Sequence, residues 1–89
     1  MAGLLKLHYI EIPNTEVLLS EDGSYTYIQT DLHRSNCTPF VFHSTTRAGW
    51  VFSFVSSATM PEWRLIIKGP DGGVANGSFN GLLFYVGRS

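Results

Sequence analysis

What most constrains this chain is alternation. Apolar and polar or small residues swap places every second position again and again, and no stretch repeats apolar residues at the three- and four-residue spacing of a helix face. Trp63, Leu65 and Ile67 alternate with Glu62, Arg64 and Lys68, and Trp50, Phe52 and Phe54 alternate with Val51, Ser53 and Val55. Tyr25, Tyr27, Gln29, Asp31 and His33 share a parity that begins aromatic and ends polar, against Thr26, Ile28, Thr30 and Leu32. Successive side chains of a strand point to opposite faces, so each run reads as a strand with two unlike sides. The residue supply agrees: β-branched and aromatic residues number 30, whereas Ala, Glu, Lys and Gln together number 11, which favours pleated over helical backbone.

Turn signals separate these runs. Glu21-Asp22-Gly23-Ser24 predicts a hairpin between Glu16–Ser20 and Tyr25–Leu32, because Asp-Gly supplies the positive φ of a tight turn. Thr45 to Gly49 predicts a second hairpin joining Phe40–Ser44 to Trp50–Ser56, and Pro39 is expected to open a strand. In the first run, Leu5, Leu7 and Tyr9 share one side. Leu4, Ile10 and Ile12 share the other, which Lys6 and His8 interrupt, and Pro13-Asn14 is expected to end it. Ala58 to Pro61 links two strands, and Gly69 to Gly77 predicts a mobile surface loop or a ribbon with two turns. Leu82 to Val86 is apolar on both parities, as in a central strand or one covered by a partner. The expected architecture is one all-β domain over residues 1–89: a small antiparallel β-sandwich or barrel of about seven short strands with no substantial helix.

Charge narrows the functional classes. Seven acidic and six basic residues leave a net charge of -1, and Arg34, Arg47, Arg64 and Arg88 are scattered. General nucleic-acid binding therefore lacks its positive field. No apolar run approaches the ~20 residues of a membrane helix. Met1-Ala2-Gly3 does not lead into a basic segment followed by an apolar one, so the expected setting is the cytoplasm or a virus particle. The glycosylation patterns at Asn36-Cys37-Thr38 and Asn76-Gly77-Ser78 read as chance on that basis.

Chemistry-bearing residues are few. Asp31, His33, Cys37 and His43 fall close together, and zinc would accept such ligands if the flanking strands paired, but their spacing matches no ribbon or finger. The same group reads as a cysteine nucleophile with a histidine base only if Cys37 escapes burial, and a lone cysteine is more often an inert core thiol. The carboxylates Glu11, Glu16, Glu21, Asp22 and Glu62 sit at strand ends and turns, where they solubilise edges. Gly69-Pro70-Asp71-Gly72-Gly73 lacks the Lys and Ser or Thr of a phosphate loop. No cofactor is implied.

The remaining signal is the balance of surface. A chain of 89 residues carries about 22 charged ones at average usage, and this one has 13. A small domain buries only about 60% of its unfolded surface, so its 39 apolar residues are expected to overflow onto a contact face. The functional expectation is a non-enzymatic structural protein that self-associates as a homo-oligomer, or docks as a small accessory subunit on a larger assembly such as a virus particle. Trp63, Leu83, Tyr85, Tyr25 and Tyr27 are the expected interface residues. The alternatives are a small β-barrel that binds a sugar- or nucleotide-like ligand, an inhibitor of a partner protein, and an enzyme built on Cys37.

Overall fold

A computed structural model describes residues 5–44 and 49–88. Seven strands run β1 (Leu5–Glu16), β2 (Leu18–Leu19), β3 (Thr26–His33), β4 (Cys37–Ser44), β5 (Val51–Val55), β6 (Glu62–Lys68) and β7 (Ser78–Arg88). They form two antiparallel sheets, one of three strands in the order β1-β7-β4 and one of four in the order β2-β3-β6-β5. The expected all-β sandwich is what the chain adopts, and no helix occurs among the described residues.

The core lies between the sheets. Ile12, Phe42, Phe79 and Leu83 from the three-stranded sheet meet Ile28, Leu65 and Ile67 from the four-stranded one. Aromatic edges cross the gap: Phe42 and Phe52 are T-shaped at 5.0 Å between centroids, and Trp50 stands edge-on to Phe79 at 5.2 Å. Trp50, Phe52 and Phe54 thus fill the core side of β5, as their shared parity predicts.

Two buried threonines hold the four-stranded sheet: Thr30 Oγ1 donates to the Trp63 carbonyl at 2.6 Å. Thr26 Oγ1 donates to the Ile67 carbonyl at 2.7 Å and accepts from the Ala75 amide at 2.8 Å, which anchors the Gly69–Gly77 link to the sheet. Its first half is a single tight turn: the Gly72 amide bonds to the Gly69 carbonyl, the Gly69 amide to the Gly73 carbonyl, and Val74 bridges back to Lys68.

Three local expectations are corrected. Pro13 does not end the first strand; β1 continues to Glu16 through an irregularity between Ile12 and Thr15, because an edge strand tolerates proline at a bulge. Pro39 likewise sits within β4, next to a register shift between Pro39 and Val41. The second hairpin does not exist, since β4 and β5 belong to opposite sheets and Phe42 faces Phe52 across the core rather than along a ladder. Of its expected turn, residues 45–48 lie outside the described residues, as does Leu4. The first hairpin stands as expected. Gly23 takes φ 75°, and Asp22 Oδ1 accepts from Ser20 Oγ, Ser24 N and Ser24 Oγ.

Candidate functional site: the outer face of the three-stranded sheet

Register and parity decide what the three-stranded sheet presents outward. On β1 the inward positions are His8, Ile10 and Ile12, leaving Leu5, Leu7 and Tyr9 at 66%, 67% and 64% exposure. On β7, Phe79, Gly81 and Leu83 are buried, so Leu82, Phe84 and Val86 line the outer side. These rows are in register: Leu7 pairs with Val86, Tyr9 with Phe84 and Glu11 with Leu82. The Tyr9 and Phe84 rings lie 6.0 Å apart. On β4 the bulge after Pro39 leaves two consecutive apolar residues, Phe40 and Val41, both exposed. The result is a continuous apolar surface spread over all three strands.

Its borders are polar and unlike. Arg88, opposite Leu5, closes one end; Glu11, opposite Leu82, closes the other, with His43 beside Leu82 on the far strand. Next to Glu11 the surface dips into a hollow of about 280 Å³ lined by Pro13, Asn80 and Leu82. There Asn80 Oδ1 is shielded from solvent without a hydrogen-bond partner among the described residues.

Gly81 lets β4 and β7 approach closely. A Cβ at this position would run into the His43 carbonyl and crowd Ser44 Cα.

The expected interface residues fall elsewhere. Leu83 has no exposed surface and packs in the core, so it offers a partner nothing; β7 is apolar on both parities, and the outward set is its neighbours Leu82 and Phe84. Tyr85 is half-buried, stacked on His8 at 5.2 Å. Trp63 is half-buried, and its indole N–H donates to the Cys37 carbonyl at 2.9 Å, which ties the two sheets together. Tyr25 and Tyr27 lie on the outer side of the four-stranded sheet, under Arg64 of β6. Arg64, only 8% exposed, places its guanidinium 4.1 Å over the Tyr27 ring and donates to Tyr25 Oη at 2.9 Å, Gln29 Oε1 at 3.3 Å and Glu21 Oε1 at 2.9 Å. The Glu21 carboxylate fastens the Arg64 cation and is itself held below its ordinary pKa by that contact.

The Asp31, His33, Cys37 and His43 group separates. β3 and β4 do not pair; Asp31, His33 and Cys37 border a cleft of about 220 Å³ with Tyr85 and Arg88, while His43 lies six residues farther along β4, roughly 20 Å away. Among the described residues no cluster of three or more His, Cys, Asp or Glu is placed to hold a metal ion. The Cys37 thiol lies 3.6 Å from the His33 carbonyl oxygen, and burial pushes its pKa up, which disfavours the thiolate a nucleophile needs. His33 Nδ1 is taken by the Ser35 amide and hydroxyl. The cleft is smaller than the roughly 300 Å³ at which ligand pockets begin.

Comparisons with protein-family models, with curated proteins and with solved structures return no match for this chain. The outer face of the β1-β7-β4 sheet is the candidate site on its own geometry.

Proposed function

We propose that the protein is a non-enzymatic association module that works by laying the outer face of its three-stranded sheet against another protein surface. The observation that carries this reading is the uninterrupted row set of Leu5, Leu7 and Tyr9 beside Phe84 and Val86, ending in Phe40 and Val41. Antiparallel sheets that face water on one side alternate apolar-in and polar-out. Here Leu5, Leu7, Tyr9, Val41, Phe84 and Val86 point outward instead, and removing such area from water at about 25 cal/mol per Å² drives association.

Accessory docking on a larger assembly and self-association both use this face. The test compares the chain with Leu7→Glu, which puts a charge at the middle of the surface without touching the core. Retention of a solvatochromic apolar-surface dye such as bis-ANS, or a mass above 9.9 kDa in light scattering, is expected of the parent chain and lost in Leu7→Glu. A 9.9 kDa particle that leaves the dye dark refutes the reading.

A further inference from the structure

We infer that Asn76 is a site of self-modification, where the amide nitrogen of Gly77 attacks the side-chain amide and water completes its conversion to aspartate and isoaspartate.

The step balances with water as the only co-reactant. The Gly77 nitrogen gives its proton to solvent and bonds to Cγ of Asn76, closing a cyclic imide; the bond from Cγ to Nδ2 breaks, and Nδ2 leaves as ammonia. Water then opens the imide at either carbonyl. One opening gives aspartate, and the other gives isoaspartate, whose backbone runs through Cβ. Ring closure asks for a following residue with no side chain in the way. It also asks for an asparagine whose backbone can leave the extended range, which holds Cγ away from the next nitrogen.

The dipeptide Asn-Gly occurs twice, at Asn76-Gly77 and Asn80-Gly81, and the fold treats the two differently. Asn76 and Gly77 are exposed and lie between β6 and β7, outside any strand, with Gly77 at φ 85°. Among the described residues the backbone hydrogen bond of Gly77 runs through its carbonyl, which accepts from the Val17 amide at 3.1 Å, and leaves the attacking nitrogen out. Asn80 and Gly81 lie within β7, the central strand of its sheet. Gly81 is paired with Ile12 on one side and Ser44 on the other, and its backbone is pressed against the His43 carbonyl. The chemistry is the same at both pairs, and only the first has the freedom to carry it out.

The product would be felt by the fold. Asn76 sits between two anchors, the Ala75 amide on the buried Thr26 Oγ1 at 2.8 Å and the Gly77 carbonyl on Val17. Isoaspartate lengthens the backbone between them. Either product also adds a negative charge to a chain already at -1, around the same hollow that Glu16, Leu19 and Val74 line.

The experiment ages the full chain at warm, mildly alkaline pH and follows it by tryptic digestion and fragment-ion mass spectrometry. Cleavage after Lys68 and Arg88 leaves both asparagines in one peptide, so each calibrates the other. The mass gain of amide-to-acid exchange is expected at Asn76, with Asn80 at least about tenfold slower, because it reacts only when its strand opens. In urea the difference is expected to vanish. Asn76→Gln, which keeps the amide but disfavours the ring, should hold its unfolding midpoint over the same interval while that of the parent falls.

Equal rates in the folded chain, or a faster Asn80, overturn the inference. So does a folded chain intact at Asn76 under conditions where the urea-unfolded chain reacts, or one that stays intact in both states. A parent midpoint that drifts no more than that of Asn76→Gln overturns the consequence for the fold.

Discussion

The outer faces of the two sheets solve the same problem in opposite ways. On the four-stranded sheet, two tyrosines that would otherwise be exposed are roofed by Arg64, which is in turn pinned by Gln29 and Glu21, so the aromatic surface is covered from within the chain. On the three-stranded sheet, Leu7, Tyr9 and Phe40 carry no such roof. One long cation with a planar fork, placed where it stacks and donates at once, is what makes the first face finished and leaves the second open. Residues on the covered face should therefore act on folding, and residues on the open face on association.

That contrast is open to attack in a definite order of effect. The largest is expected at Gly81, whose replacement by Ala drives a methyl group into the His43 backbone and forces β4 off β7, with a loss of about 3 kcal/mol or more in urea unfolding and loss of the whole open face. Next comes Arg64→Ala, which unroofs Tyr27 and strips Tyr25 and Glu21 of their donor; about 2 to 3 kcal/mol of stability is expected to go, with dye binding rising as a second apolar face appears. Leu7→Glu, by contrast, is expected to shift the unfolding midpoint of the monomer by no more than about 0.5 kcal/mol, because the side chain is two-thirds exposed. A larger loss would mean that the open face is part of the fold.

The smallest effect is a pH dependence. Hydrogen bonding to Arg64 lowers the Glu21 pKa below its ordinary 4.5, so the contact stabilises the fold above that pH and the contribution fades as pH falls through the folded value. Glu21 is 73% exposed, and solvent screens the pair. Comparing thermal midpoints at neutral and strongly acid pH, the parent is expected to lose slightly more than Glu21→Gln does; equal losses would remove Glu21 from the roof.

Much of the fold could be read from the alternation alone. β5 turns Phe52 and Phe54 to the core, β6 turns Leu65 and Ile67 there although it buries Arg64 on its other side, and the Asp22-Gly23 turn sits where its chemistry puts it. Which sheet each strand joins could not be read, because alternation sets relative sides and says nothing of partners; hence the phantom hairpin between β4 and β5. The site was half legible. The surplus of apolar residues and the shared side of Leu5, Leu7 and Tyr9 were visible, yet ordinary patterning places an uninterrupted apolar side inward and the side broken by Lys6 and His8 outward. The structure does the reverse, since His8 finds a stacking partner in Tyr85. Leu83 and Leu82 were indistinguishable for a related reason: where both parities are apolar, only the pairing register chooses between them. Arg64 escaped notice because the groups that bury it, Glu21 and Tyr25, lie about forty residues away in the chain.

The pairing of the first strand with the last carries a mechanical consequence. Leu5 and Arg88 are ladder neighbours, so tension applied between the two ends of the described chain pulls β1 away from β7 one rung at a time, like a zip, instead of loading all the rungs together as shear would. A tethered molecule would yield at low force, and it would yield first through the sheet that bears the open apolar surface.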